Sequence, residues 1–141
     1  MWADALLRAE QLHLIRIMAW GALAVVVGTA LVSARLVARW RGAMLSALGI
    51  PLAALGVLEL LGGGALYRSA TLTDAAGAAR LQNLTWFQLG LFAGCALAGA
   101  LVAAVARRAG MPRTVGAGIA LAIHGAALVA LTTAFVPIVS R

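Results

Sequence analysis

The sequence contains no lysine, a single cysteine and only four acidic residues in 141. Its basic charge is therefore carried entirely by eleven arginines, and the lone Cys95 excludes an intramolecular disulfide and any metal motif that needs several cysteines. Hydrophobic residues make up 64% of the chain, and its mean hydropathy is +1.02. A water-soluble domain of this length could not bury so much apolar surface, so the composition indicates an integral membrane protein.

Four long apolar stretches are separated by short polar connections. A helix needs about 20 apolar residues to cross the hydrocarbon core of a bilayer, and a single segment can satisfy its backbone polar groups there only as a helix. The predicted helices span residues 12–33, 43–67, 84–106 and 115–139. The sequence thus predicts an all-α membrane protein, a bundle of four transmembrane helices in a single domain over residues 1–141.

The arginines favour one orientation of these helices. They are concentrated in the first connection and in the third: Arg35, Arg39, Arg41, Arg107, Arg108 and Arg113. Short arginine-rich loops stay on the cytoplasmic side, so both termini and the 68–83 connection are predicted to be periplasmic. An arginine-only, alanine-rich chain is typical of a GC-rich bacterium, which suggests its plasma (inner) membrane. Nucleic acid is not a predicted partner because no folded basic face is available.

The second and fourth stretches resemble each other. The segment from Gly49 to Gly56 is similar to the segment from Gly118 to Gly125, 69 residues later. This similarity predicts two tandem hairpins, a parallel repeat about an axis along the membrane normal.

Small residues recur at helix-packing spacing, which allows close approach of helix backbones in lipid. These Gly/Ala faces would pack the bundle, or bind a second copy or a larger membrane complex. The rows are Gly90, Gly94 and Ala98; Gly118, Ala122 and Ala126; and Ala24 with Gly28.

Three ionisable residues fall inside the predicted spans: Arg16, Glu59 and His124. Such groups are costly in lipid and usually face the bundle interior. Arg16 and Glu59 lie at similar depths in the outer half, which predicts an ion pair, and Gln88 and His13 lie at nearby levels. A buried polar cluster is therefore expected. It would either only neutralise its own charges or form a site that opens to the outer face.

His124 lies slightly inward of the centre of its helix. Helical rise places it roughly 20 Å in depth from His13, so the two histidines are not expected to bind one metal ion. His124 is predicted instead to bond to a neighbouring helix.

The first helix reads Leu12-His13-Leu14 and then Trp20-Gly21. This pattern resembles the first helix of the copper-resistance-D-like superfamily, and that of the related oxygen-independent protoporphyrinogen oxidase family. The resemblance covers about ten residues. It implies that His13 is a ligand of haem b or copper near the outer face, with Trp20 and Gly21 as packing positions. If a haem is bound, we expect Arg16 to pair with a propionate or with Glu59. The lysine expected in the oxidase family is missing, which disfavours that enzymatic activity.

Three functions are compatible with the sequence. The first is haem or copper handling through His13 at the outer leaflet. The second is an accessory or structural subunit of a larger membrane complex, without chemistry of its own. The third is a small proton-coupled transporter that uses Glu59. An enzyme is not favoured, because no Ser-His-Asp set, HExxH motif or nucleotide-binding loop is present, and no catalytic residue is predicted.

Overall fold

A computed structural model describes residues 2–37, 42–72 and 74–139, and within these ranges the chain is helical, with no strand. The elements are α1 (Trp2–Val37), α2 (Gly42–Ser69), α3 (Ala75–Arg108), α4 (Pro112–Thr133) and the short α5 (Val136–Val139). Helices α1 to α4 are long and apolar enough to cross a membrane. The arginine-rich stretch 38–41, with Arg39 and Arg41, lies outside the described residues.

The helices extend beyond the predicted spans because polar segments continue them. Residues 2–11 are continuous with α1, and α3 begins at Ala75 rather than at residue 84. Asp74 caps that end: its carboxylate accepts a hydrogen bond from the backbone N–H of Gly77 at 2.8 Å. Such a cap satisfies a donor that the first turn leaves free.

A tight turn joins α3 to α4. Gly110 adopts a left-handed φ of 67°, and the N–H of Met111 donates to the carbonyl of Ala106 at 2.9 Å. This closure is typical of a helix that ends with glycine. Pro112 then begins α4, where its missing N–H costs nothing.

Helix α4 was predicted to continue to residue 139 but ends at Thr133. The reason is Pro137, which has no N–H and whose ring would clash with the carbonyl four residues earlier, that of Thr133. Residues Ala134 and Phe135 form a turn, and the chain resumes as α5.

Helix α1 packs against α2, α3 packs against α4, and α2 and α4 are also in contact. Among the described helices, α3 makes no backbone contact with α1 or α2. The spatial order is therefore α1, α2, α4, α3, and a space is left between α1 and α3.

Glycines bring the packed helices into backbone contact. A Cβ added to Gly28 would lie 2.6 Å from the carbonyl oxygen of Gly49, and one on Gly99 would lie 2.7 Å from that of Gly118. On Gly116 it would lie 2.5 Å from the carbonyl oxygen of Met44, where α4 meets α2. These contacts match the role expected of small residues between membrane helices.

One predicted row does not pack inside the bundle. A Cβ added to Gly90 or Gly94 would meet no atom of another described helix within 4 Å, and Ala98 is exposed. This face of α3 is left open to the surroundings.

Candidate functional site

A cavity of about 260 Å³ separates α1 from α3 at the end of the bundle that holds the start of α1 and the α2–α3 connection. Its walls are mostly leucine, isoleucine and phenylalanine. Its polar lining residues are Glu10, His13, Glu59, Thr85 and Gln88.

A buried pair of ionisable side chains, Glu59 and His124, lies beside this cavity. Nε2 of His124 is 2.7 Å from Oε1 of Glu59, and the two side chains are only 5% and 11% exposed. The two atoms are close enough for electrostatic attraction, but their geometry is not that of a hydrogen bond, and Oε1 has no hydrogen-bond partner among the described residues. A bond from His124 to a neighbouring helix was expected, but its partner, Glu59, was not. The pair joins α4 to α2 where these central helices are adjacent.

The pair has further polar atoms available. Both carboxylate oxygens of Glu59 and Nδ1 of His124 are buried and have no hydrogen-bond partner among the described residues. The ring of Trp20 packs beside His124, with centroids 6.0 Å apart and planes tilted by 47°. The pair is thus largely shielded from solvent. Oε2 of Glu59 and Nδ1 of His124 can each accept a further proton.

His13 is buried in the cavity wall, with 5% of its surface exposed. Its ring stacks on Phe135 at a centroid distance of 4.5 Å and an angle of 4°. Neither ring nitrogen has a hydrogen-bond partner in the described part of the chain. Because buried polar groups are normally satisfied, the edge of this imidazole is available to a ligand in the cavity.

Arg16 lies apart from this cluster. Its side chain is exposed, it does not line the cavity, and Glu59 contacts His124 in place of the predicted Arg16. Residues 10, 13, 14 and 17 form the cavity face of α1. At 100° per residue, Arg16 is about 110° round the helix from the centre of that face. Of the predicted cluster, His13, Glu59 and Gln88 do line one cavity.

Glu10 was not predicted as a site residue, although its spacing from His13 in the sequence could have indicated it. It precedes His13 by three residues, so both share one helical face. The stacking of Phe135 on His13 had no such signal, because it depends on where the turn after α4 places the aromatic ring.

The two histidines lie at different levels. His13 stacks on Phe135, which follows His124 by eleven residues. Along α1, Trp20 packs beside His124 and follows His13 by seven residues, which corresponds to about 10 Å of helical rise.

The residues fit haem and copper poorly. No group of three His, Cys, Asp or Glu side chains in the described ranges is arranged to hold a metal ion. The cavity, at about 260 Å³, is also below the ~300–1,000 Å³ usual for drug-sized ligands, and a porphyrin exceeds that size. A single small ligand suits the space better.

Two further spaces adjoin the cavity. One of about 390 Å³ shares Glu10, Leu66 and Leu81 with it and reaches Arg80 near the start of α3. We call it the vestibule. The other, of about 220 Å³, lies between α2, α3 and α4 and is lined by Glu59, His124 and Cys95. Glu59 therefore borders both the cavity and this second space.

Comparisons of the chain with protein-family models, with curated proteins and with solved structures found no significant match.

Proposed function

We propose that this protein is a multi-pass protein of a bacterial plasma membrane, with both termini and the 68–83 connection on the periplasmic side. Four apolar helices of sufficient length support the membrane location. The arginine distribution supports the orientation. In this orientation the cavity and the vestibule face the periplasm.

We also infer that the bundle is a tandem repeat of two hairpins. Equivalent small residues make equivalent contacts in the two halves. In the first half Gly28 meets Gly49 and Ala53; in the second, Gly99 meets Gly118 and Ala122. Gly49 and Gly118 are 69 residues apart, and so are Ala53 and Ala122. This is the offset between the two similar segments of the sequence.

We propose that the protein is a small proton-coupled transporter whose proton site is the Glu59–His124 pair. The observation that carries this proposal is the position of the pair: it is buried in the bundle and borders the outer cavity. Ionisable groups inside membrane helices are costly and are found mainly in ion and proton pathways.

The chemistry follows from the atoms of the pair. With a neutral His124 and an ionised Glu59, the pair carries a single negative charge. A second proton on Oε2 of Glu59, or on Nδ1 of His124, makes the pair neutral overall. The site can therefore alternate between two charge states without leaving its buried position.

Infrared difference spectroscopy of the protein in lipid nanodiscs tests this proposal. Acidification should produce the C=O stretch of a buried protonated carboxyl group. We expect this band to disappear in Glu59→Gln and to shift in His124→Gln. Asp74→Asn is the matched control, because Asp74 is exposed, and it should leave the band unchanged. A band that persists in Glu59→Gln would refute the proton site.

Haem or copper handling through His13 is a second candidate, favoured by the two unpartnered ring nitrogens. The fit described above is poor, so no chemical step is assigned to either cofactor. An absorption spectrum and metal analysis of the purified protein provide the test. A Soret band or stoichiometric copper that is lost in His13→Phe would establish this function in place of transport.

An accessory role, in a homo-oligomer or a larger membrane complex, is favoured by the open row Gly90, Gly94 and Ala98. Small residues on an unpacked face allow another helix to approach closely. Cross-linking of Gly94→Cys in a Cys95→Ser background tests it. A disulfide-linked dimer in native membranes would support a second copy at this face.

A further inference from the structure

We propose that the outer cavity binds a small lipophilic organic cation, which is exchanged for the proton of the Glu59–His124 pair. The inference rests on the proposed proton-coupled function and names its substrate class.

The charge of the lining points to a cation. Two of the protein's four acidic residues, Glu10 and Glu59, line the cavity, and none of its eleven arginines is among the described lining residues. The lining of this cavity is therefore acidic, although the whole chain has a formal charge of +7. Attraction between opposite charges is much stronger in such an apolar setting than in water.

The other ionisable groups near Glu59 do not reverse this charge. On α1, Arg16 is exposed and His13 is the only potential cation in the wall. On α4 the neighbour is His124, and on α3 it is Cys95, which borders the second space. Arg80 lines the vestibule rather than the cavity.

The walls point to a lipophilic ligand with a ring or short chain. Beyond the polar residues, the lining is apolar and includes the aromatic rings of Phe92 and Phe135. An organic cation gains energy from the face of an aromatic ring within about 6 Å. His13 supplies independent evidence for a ligand, because it is 5% exposed and its unpartnered nitrogens lie in the cavity wall.

Exchange follows from competition for one carboxylate. The cation enters from the vestibule and pairs with the negative charge of Glu59. The proton on Oε2 leaves to water in the vestibule, so one positive charge enters for each that departs. No covalent bond other than the O–H bond is broken. By reciprocity, the proton weakens cation binding by the same factor as the cation weakens proton binding.

The test uses the whole protein in phosphatidylglycerol nanodiscs and radiolabelled benzyltrimethylammonium, a permanent cation that carries no acidic proton. We expect saturable binding of one cation per chain. Its apparent Kd should rise about tenfold for each pH unit below the midpoint of the Glu59 infrared band, as expected when one proton competes. Binding should release protons, detected by a pH indicator in weak buffer.

Variants and analogues make the test specific. Glu59→Gln should weaken binding at least tenfold, and Asp74→Asn, which neutralises an exposed acid outside the cavity, should leave it unchanged. Neither neopentylbenzene, the neutral isostere, nor benzenesulfonate, an anion of similar size, should displace the cation. If Glu59→Gln fails to fold, the pH dependence and proton release of the native chain still decide the question.

The outcomes separate the two proposals. If the Glu59 band titrates but benzyltrimethylammonium does not bind, or an anion binds better, the substrate class is wrong and the proton site stands. If no Glu59 band appears, the proposed proton-coupled function is wrong, and the proposed cation exchange is wrong with it. Binding without pH dependence or proton release overturns the exchange.

The cation in the membrane could be a free amine or the amine of a lipid headgroup. Repeating the titration in nanodiscs that contain phosphatidylethanolamine distinguishes them. Weaker apparent binding of the probe would identify the lipid as a ligand. Unchanged binding would assign the site to a free cation.

Discussion

At the scale of single residues, the buried pair of Glu59 and His124 makes the sharpest prediction for stability. Removing one partner strands a buried charge or polar group, which typically costs about 3–5 kcal/mol. We therefore expect His124→Leu to lower the free energy of unfolding by an amount in this range. The double variant Glu59→Leu/His124→Leu should recover most of the loss. Unfolding by SDS in mixed micelles measures both.

Arg16→Ala is the control for this cycle. Its side chain is exposed and does not contact the pair, so its effect should stay within about 0.5 kcal/mol. If the effects of changing Arg16 and Glu59 on the free energy of unfolding were strongly non-additive, the two residues would be paired as predicted from the sequence. That result would contradict the structure.

His13 makes a different prediction, because its ring nitrogens have no partner among the described residues. Replacing it by phenylalanine keeps the stacking on Phe135 and removes a buried unsatisfied group, whose cost is about 1–3 kcal/mol. We expect His13→Phe to raise the stability of the ligand-free protein by about 1 kcal/mol. A loss of stability would mean that His13 has a structural partner. Thermal unfolding in detergent provides the measurement.

The sequence identified the ionisable residues of the site but not their pairing. Glu59 and His124 stand out because charge is rare in an apolar span, and that rarity needs no three-dimensional information. Which residue meets Glu59 depends on the spatial order of the helices, in which α2 adjoins both α1 and α4. Depth along the helix axis favoured Arg16 on α1 over His124 on α4, because it takes no account of which helix faces Glu59.

At the scale of helices, two kinds of glycine on α3 should respond in opposite ways. A Cβ on Gly99 would overlap the backbone of α4, being 2.5 Å from the amide nitrogen of Ala122. We expect Gly99→Ala to cost about 1–3 kcal/mol, as overpacking does. Gly94→Ala, with open space around it, should instead stabilise the helix by about 0.5–1 kcal/mol.

Unfolding of the two variants side by side measures this difference. Equal effects would contradict the packing of α3 on α4. Destabilisation by Gly94→Ala alone would indicate that another helix covers its face.

The four long helices could be predicted from hydropathy, but the residues at which they begin and end could not. Apolar length located the four helices that are long enough to cross a membrane, since it depends on composition alone. The cap by Asp74 and the stop imposed by Pro137 moved two boundaries by several residues. Hydropathy does not report these effects, because they arise from individual hydrogen bonds and ring sterics.

At the scale of the whole molecule, the orientation can be tested by labelling single cysteines. In a Cys95→Ser background, Ser69→Cys lies at the predicted periplasmic end and Thr114→Cys at the cytoplasmic end, and both positions are exposed. A membrane-impermeant maleimide should label only the first in intact spheroplasts. Labelling of the second alone would reverse the orientation and with it the side on which the cavity opens.

The contact of Gly116 with α2 has a mechanical consequence for the molecule. It lies twelve residues from Leu128, which lines the cavity, or about 18 Å along α4. A tilt of α4 about this close contact would displace the cavity wall by about 0.3 Å for each degree. The contact between His124 and Glu59 lies between these two positions on α4 and joins it to α2, so it opposes such a tilt.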